Sequence, residues 1–279
     1  HISTQMSNSK VITEELRQTL EPTVQSDDPF YMLLLGTDGR PGETTYRSDT
    51  IVLARIDPGR KQATLISIPR DTRVELDGYF QKINASHTYG GAQGVVEAVN
   101  ELCDVRISHY AEVSFDGLVQ VVDALGGVEV DVPDRISDHK AGDYIIEPGL
   151  QVLNGEQALT FCRSRKFTDG DYSRMRHQRI FLQALAKTLL EKTDATNVVG
   201  LIESLSSTVA TDMSVSDIAG LINSMRGMDT DAIYSANIPS TTANIDGVSY
   251  VIADEVALKD MMDRVDAGMD PGDSETMET

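Results

Sequence analysis

The stretch YMLLLGTDGRPGETTYRSDTIVLARIDPGRKQATLISI, residues 31–68, decides the fold. It contains three short apolar runs, Tyr31 to Gly36, Thr50 to Ile56 and Ala63 to Ile68. Runs this short, bounded by turn formers, read as buried strands rather than helices. The second and third are separated by a link opening on Asp57-Pro58-Gly59, and so tight a connection predicts an antiparallel hairpin.

Beyond it the periods alternate. From Gly91 to Cys103 the apolar residues Val95, Val96, Val99 and Leu102 recur at helical spacing. His109 to Ser114 reads as a strand, Phe115 to Leu125 as a helix stopped by Gly126-Gly127, and Val128 to Val132 as a strand ended by Pro133. Asp134 to Gly149 is polar and reads as a loop with a short strand near Tyr144-Ile145-Ile146. Asn154-Gly155-Glu156-Gln157 starts a short helix, and Ser173 to Lys192 is the best helical pattern in the chain. Asn197 to Thr208 and Ser214 to Arg226 are further helices. Ile233 to Ile238 and Val248 to Ile252 read as closing strands, with a last helix from about Ala253 to Val265. Strands and helices interleave, which predicts an α/β fold: a single domain with a mixed central sheet sandwiched between helices. The expected layout is an N-terminal segment 1–28 set apart from the fold, a domain at 29–266 and a disordered acidic tail at 267–279.

With 40% hydrophobic and 24% charged residues, the chain of 279 has the balance of a globular protein. Its net charge of -20 excludes general nucleic-acid binding, which requires a basic face. The charge is unevenly spread. Residues 180–279 carry five basic against 17 acidic groups, whereas residues 163–179 carry six basic against two acidic. An arginine-rich segment in so acidic a chain marks an anion site. No apolar run reaches 18 residues, and the start at His1 lacks an initiator Met and a signal-type apolar region, so the chain reads as a trimmed or processed product. Cys103 and Cys162 fit no metal spacing; two free buried thiols are preferred over a disulfide.

Three charged loops follow strands. The first carries Asp38 and Asp49 on either side of Arg47; paired carboxylates suit Mg²⁺, although each alone reads as a turn former. The second, Pro69-Arg70-Asp71-Thr72-Arg73 with Lys82 beyond, sits where open α/β sheets place ligands. Arginine there offers planar, bidentate recognition of phosphate, and an Arg–Asp surface pair is the plainer alternative. The third is Arg163-Ser164-Arg165, then Asp171, then Arg174 and Gln178. If residues 163–165 are extended, both arginines share a face, as do Arg174 and Gln178 four apart on a helix. Arginines near a helix start conflict with the dipole, and a bound polyanion resolves that conflict.

In order along the chain, LLLGTDGR (33–40), RSDTIVLARID (47–57), ATLISIPRDTRV (63–74), KINASHTYGG (82–91), HYAEVSFDGLVQVVDALGGVEVDVP (109–133), GLQVLNGEQALTFCRSR (149–165) and DYSRMRHQRIFLQAL (171–185) resemble the LytR-CpsA-Psr family of bacterial cell-wall enzymes. The resemblance implies an α/β/α catalytic domain with a hydrophobic polyprenyl-binding tunnel, anchored at the membrane and facing outward. It further implies a Mg²⁺-dependent phosphotransferase that moves a glycopolymer phosphate from a polyprenyl pyrophosphate to peptidoglycan or another surface acceptor. By the same resemblance Asp38 and Asp49 are metal-linked. Arg47, Arg70, Lys82, Arg163, Arg165, Arg174 and Gln178 bind the pyrophosphate, Arg70 and Arg174 within the catalytic set, and Asp171 is the candidate general base. Cys162 and His177 depart from the family pattern. The alternatives are a polyprenyl-pyrophosphate hydrolase and a non-catalytic polyprenyl-phosphate-binding regulatory module.

Overall fold

The computed structural model describes residues 11–23, 26–38, 48–194 and 197–272. After a short helix α1 (Glu14–Thr19) come β1 (Phe30–Thr37), β2 (Ser48–Asp57) and β3 (Gln62–Ser67), the three strands expected from the opening stretch. A small hairpin of β4 (Arg73–Leu76) and β5 (Tyr79–Lys82) leads into α2 (Ala85–Cys103), followed by β6 (Ile107–Ser114) and α3 (Phe115–Ala124). Next are β7 (Val128–Val132), β8 (Ile136–Ser137), β9 (Ile145–Ile146) and β10 (Gly149–Leu153), then α4 (Gly155–Arg163) and α5 (Asp171–Lys192). The chain continues through α6 (Val198–Ser204), β11 (Val209–Thr211), α7 (Val215–Ser224), a 3-10 turn, β12 (Tyr234–Asn237), β13 (Ser240–Ile245), β14 (Val248–Ala253) and α8 (Glu255–Asp266).

Six strands form the central sheet in the order β11-β6-β1-β2-β3-β12. The β1–β2 and β2–β3 pairs are antiparallel while β1–β6 and β3–β12 are parallel, so the sheet is mixed. The β2–β3 turn is held by the Asp57 carboxylate, which accepts the Arg60 N–H at 3.0 Å. Strand alternation sends Leu33, Leu35 and Leu53 to one face, where they pack with Val95 and Val99 of α2 and Leu258 and Met262 of α8. Val52, Ala54 and Leu65 point to the other face, against Leu182 of α5. Helices therefore cover both faces. Truncating a fully buried leucine such as Leu53 to alanine costs about 2–5 kcal/mol. A second core joins Val122, Val128, Leu153, Phe161 and Phe181.

Several readings are corrected by the structure. α2 starts six residues before Gly91 and breaks there, with Gly91 at φ 57°. Residues 85–90 lack an apolar stripe and are held by polar contacts, His87 Nε2 to Glu112 Oε2 at 3.1 Å among them. Of the expected closing strands only β12 joins the sheet; β14 pairs with β13 in a separate hairpin. β11, three residues long, is too short to carry a period and was not expected. Arg163 ends α4 instead of lying in an extended segment, because the capping box of Asn154 and Gln157 starts a helix that runs on through Phe161. Ile12 and Leu16 are buried in the main core, so residues of the N-terminal segment pack with the domain rather than apart from it. Most of the expected acidic tail, residues 273–279, lies outside the described residues. Cys103 and Cys162 are both free and buried, in different cores.

Candidate active site

The β1–β2 register brings two loop ends together. Gly36 faces Thr50 and Thr37 faces Ser48, and a Cβ on Gly36 would lie 3.0 Å from the Thr50 Cβ. Asp38, just past β1, and Asp49, near the start of β2, thus reach one cavity of about 370 Å³. Arg163, Arg165, Arg174 and Gln178 line it as well. The close crossing of α3 and α4 sets the position of Arg163. At Gly155 an added Cβ would come within 2.5 Å of the Val119 carbonyl oxygen, and at the far end of α4 the Arg163 guanidinium lies 4.6 Å from the Phe115 ring centre. α5 supplies Arg174 and Gln178 one turn apart, and Gln178 Nε2 donates to the Cys162 carbonyl at 3.1 Å.

Charge pairs tie these groups together. Arg70 is ion-paired with Asp49, whose backbone oxygen accepts from Arg174 Nη2 at 3.3 Å. Asp171 Oδ1 meets Arg174 at 2.9 Å and Arg165 at 3.5 Å. Asp171 is the acid that the first turn of a helix favours, and it sits among the arginines that the dipole disfavours. The two central arginines are perturbed in opposite senses. Arg174, 3% exposed, is pulled down to about 10, chiefly by burial and further by Arg165 and Arg70, with Asp171 and Asp49 opposing. Burial also depresses Arg70, but the hydrogen bond and charge of Asp49, with Asp171 and Asp71, outweigh it and leave Arg70 raised. Nε of each is buried without a hydrogen-bond partner. Buried cations short of partners are costly, and a bound anion relieves both.

Arg70, Lys82 and Asp171 lie behind the cavity wall: Arg70 and Asp171 are tied to it through Asp49 and Arg174, and Lys82 Nζ is 3.1 Å from Asp71, the neighbour of Arg70. Arg47 is outside the described residues. Two residues of the polar 134–149 loop, Asp138 and Lys140, line the cavity without having been expected. Asp138 accepts from Arg165 N at 3.0 Å, Lys140 N at 3.1 Å and Ser164 Oγ at 3.1 Å. Burial pushes its carboxyl up, and these three bonds more than reverse that, leaving it below the usual range. The only signal in sequence is an Asp two residues before a Lys in a loop without periodicity.

A second cavity of about 220 Å³ adjoins the first and is almost wholly apolar. Leu34 and Val52 of the sheet and Phe181, Leu182 and Leu185 of α5 form its walls, and Gly36, Thr50, Cys162 and Gln178 belong to both cavities. Among the described residues no three His, Cys, Asp or Glu side chains cluster to hold a metal by themselves. Two carboxylates on one cavity wall do fit Mg²⁺, which takes one or two protein carboxylates and completes its shell with water and substrate phosphates. Among the described residues no helix is long and apolar enough to cross a membrane.

Fold and site together define an α/β/α domain with a cationic cavity at its strand ends, continuous with an apolar one. The chain belongs to the LytR-CpsA-Psr family: residues 2–267 match the sequence model of the LytR_cpsA_psr family. It is 32% identical over 233 residues to the polyisoprenyl-teichoic acid–peptidoglycan teichoic acid transferase TagU of Halalkalibacterium halodurans, covering 82% of this chain and 75% of that protein. The crystal structure of TagV from B. subtilis is similar at a TM-score of 0.77 and 28% identity, over 87% of this chain and 98% of that one. The structure of TagT bound to LIIa-WTA is similar at 0.75 and 26%, over 89% and 94%. The mixed α/β single domain expected from the sequence is the fold of these relatives.

Proposed function

We propose that this chain is the outward-facing catalytic domain of a membrane-anchored phosphotransferase. It moves a glycopolymer phosphate from a polyprenyl-pyrophosphate carrier to peptidoglycan or another cell-surface acceptor. One observation carries the reading: a cavity lined by arginines runs into an apolar cavity between the sheet and α5. A pyrophosphate bearing a hydrocarbon chain needs both environments side by side. The names of the relatives, transferases of teichoic acid to peptidoglycan, support the same reading.

In this reading Arg70, Arg163, Arg165 and Arg174 hold the pyrophosphate, and the polyprenyl chain enters the apolar cavity. The acceptor hydroxyl oxygen bonds to the phosphorus that carries the polymer. The bond from that phosphorus to the bridging oxygen breaks, and polyprenyl monophosphate leaves. Such a transfer depends on positioning and electrostatic stabilisation more than on covalent chemistry. Both arginine contacts of Asp171 fall on Oδ1, so Oδ2 is the oxygen that takes the acceptor proton. Asp38 and Asp49 would hold Mg²⁺, which supplies charge neutralisation at the phosphates when bound.

Labelled polymer on a polyprenyl-pyrophosphate carrier, incubated with peptidoglycan, tests the reading. Wild type incorporates label into the acceptor, and Arg70→Ala and Arg174→Ala each lower incorporation by about 10²-fold or more. Unchanged incorporation in both variants refutes the proposal, and release of soluble polymer without incorporation identifies a hydrolase.

A further inference from the structure

A second surface adjoins the arginine site on the opposite side of the sheet from the apolar cavity. The β4–β5 hairpin pairs Arg73 with Lys82 and Glu75 with Phe80, which places all four on one face. β14 runs alongside, its Val251 N–H donating to the Asp71 carbonyl at 3.0 Å. This adds Tyr250 to the same surface. Phe80 is 53% exposed. The Arg73 guanidinium lies 3.7 Å from the Phe80 ring centre and 5.9 Å from that of Tyr250, and Lys82 Nζ lies 6.0 Å from the latter. An exposed ring and a half-buried one, both reached by the Arg73 guanidinium, offer an apolar platform at the surface rather than a part of the core. Here they are flanked by both signs of charge, Arg73 and Lys82 against Asp71 and Glu75.

That combination matches a sugar. The C–H face of a pyranose packs on an aromatic ring, while its hydroxyls take hydrogen bonds from cations and give them to carboxylates. The surface is also wired to the site: Lys82 pairs with Asp71, the residue after Arg70, and Arg70 pairs with Asp49 in the cavity wall. Direction then decides which sugar. In phosphoryl transfer the attacking and leaving oxygens stand roughly in line across phosphorus. The leaving group is the polyprenyl phosphate, and the apolar cavity lies on the α5 face of the sheet. Val74, Leu76 and Ile83, which anchor the hairpin and its exit, pack into the core on the α2 face. The attacking acceptor therefore arrives from the hairpin side.

We infer that Phe80 and Tyr250, with Arg73 and Lys82, form the docking surface for the acceptor glycan strand. This rests on the transferase reading, so the test separates the two. End-labelled, un-cross-linked peptidoglycan glycan strands are titrated into wild type, Phe80→Ala, Tyr250→Ala and Phe80→Tyr without any lipid substrate. The expected result is saturable binding by wild type, at least a tenfold loss in both alanine variants, and retention in Phe80→Tyr, which keeps a ring. In the transfer assay the alanine variants raise the KM for acceptor and leave the KM for the lipid-linked donor unchanged. Equal binding by wild type and the alanine variants, or no binding by wild type, overturns the inference. A rise confined to donor KM also overturns it, by assigning the surface to the transferred polymer. A protein that binds strands through these rings yet transfers nothing leaves the docking surface standing and refutes the transferase.

Discussion

Replacing His177 by leucine should flatten the acid limb of the stability curve. His177 lies on α5 directly before Gln178, fully buried, stacked on Phe161 at 4.7 Å and edge-on to Phe167 at 4.9 Å. Neither ring nitrogen has a hydrogen-bond partner. Burial, aided by the charge of Arg176 and opposed by Asp134 and Asp169, pulls its pKa from 6.5 down to about 4. The folded chain thus keeps the ring neutral where the unfolded chain protonates it. Between those two values the unfolded state binds more protons, so this group contributes stability that is full above about 6.5 and is lost as pH falls. The loss amounts to roughly 2 kcal/mol at about pH 5 and roughly 3 kcal/mol at about pH 4. Leucine has similar bulk, does not titrate and removes two unsatisfied nitrogens, each costing about 1–3 kcal/mol when buried. Urea unfolding of both proteins from about pH 7.5 to about pH 5 measures the difference directly and cancels the carboxylates they share. The gap should open by about 2 kcal/mol in favour of the leucine variant on acidification. Parallel curves would refute the reasoning.

Asp49→Asn removes the partner of a partly buried Arg70; transfer should drop by about 10²-fold while donor binding falls with it, read as a joint change in kcat and KM. Asp138→Ala removes two hydrogen bonds from the Ser164–Arg165 segment and one from Lys140 N, so donor KM should rise about tenfold and the thermal midpoint should fall. Gly155→Ala sets a Cβ 2.5 Å from the Val119 carbonyl oxygen; forcing α3 and α4 apart should cost about 1–3 kcal/mol in denaturant titration.

What was legible in the chain tracks how local the physics is. β1, β2 and β3 are apolar runs cut by turn formers, and α5 is a long helix, so both could be read from neighbours in sequence. The site was partly legible because Arg174 and Gln178 share a helix turn and because Asp38 and Asp49 bracket one loop. Asp138 was not, since it contributes through three hydrogen bonds to residues 26 and 27 positions on or two away, and no periodicity records such a partnership. The same limit hid β11, whose strand character comes from pairing with β6 rather than from its three residues. Lys82 enters the pyrophosphate set through the family resemblance, and the hairpin register, set by Asp77-Gly78 at its tip, also brings its Nζ to 6.0 Å from the Tyr250 ring centre, a proximity that no local pattern records.

The two buried thiols bear on how the molecule can be watched at work. Burial pushes the Cys103 thiol up to about 12 and Cys162 higher still, so neither is a ready nucleophile while the fold is closed. They sit in different cores, and Cys162 alone belongs to the walls of both cavities. A thiol-specific reagent therefore reads two clocks in one chain. Cys103 times the opening of the α2 side, away from the lipid site, and Cys162 times exposure of the place where headgroup and hydrocarbon meet. A lipid carrier that fills that junction slows the second clock and leaves the first running, giving an optical assay for occupancy that needs no turnover.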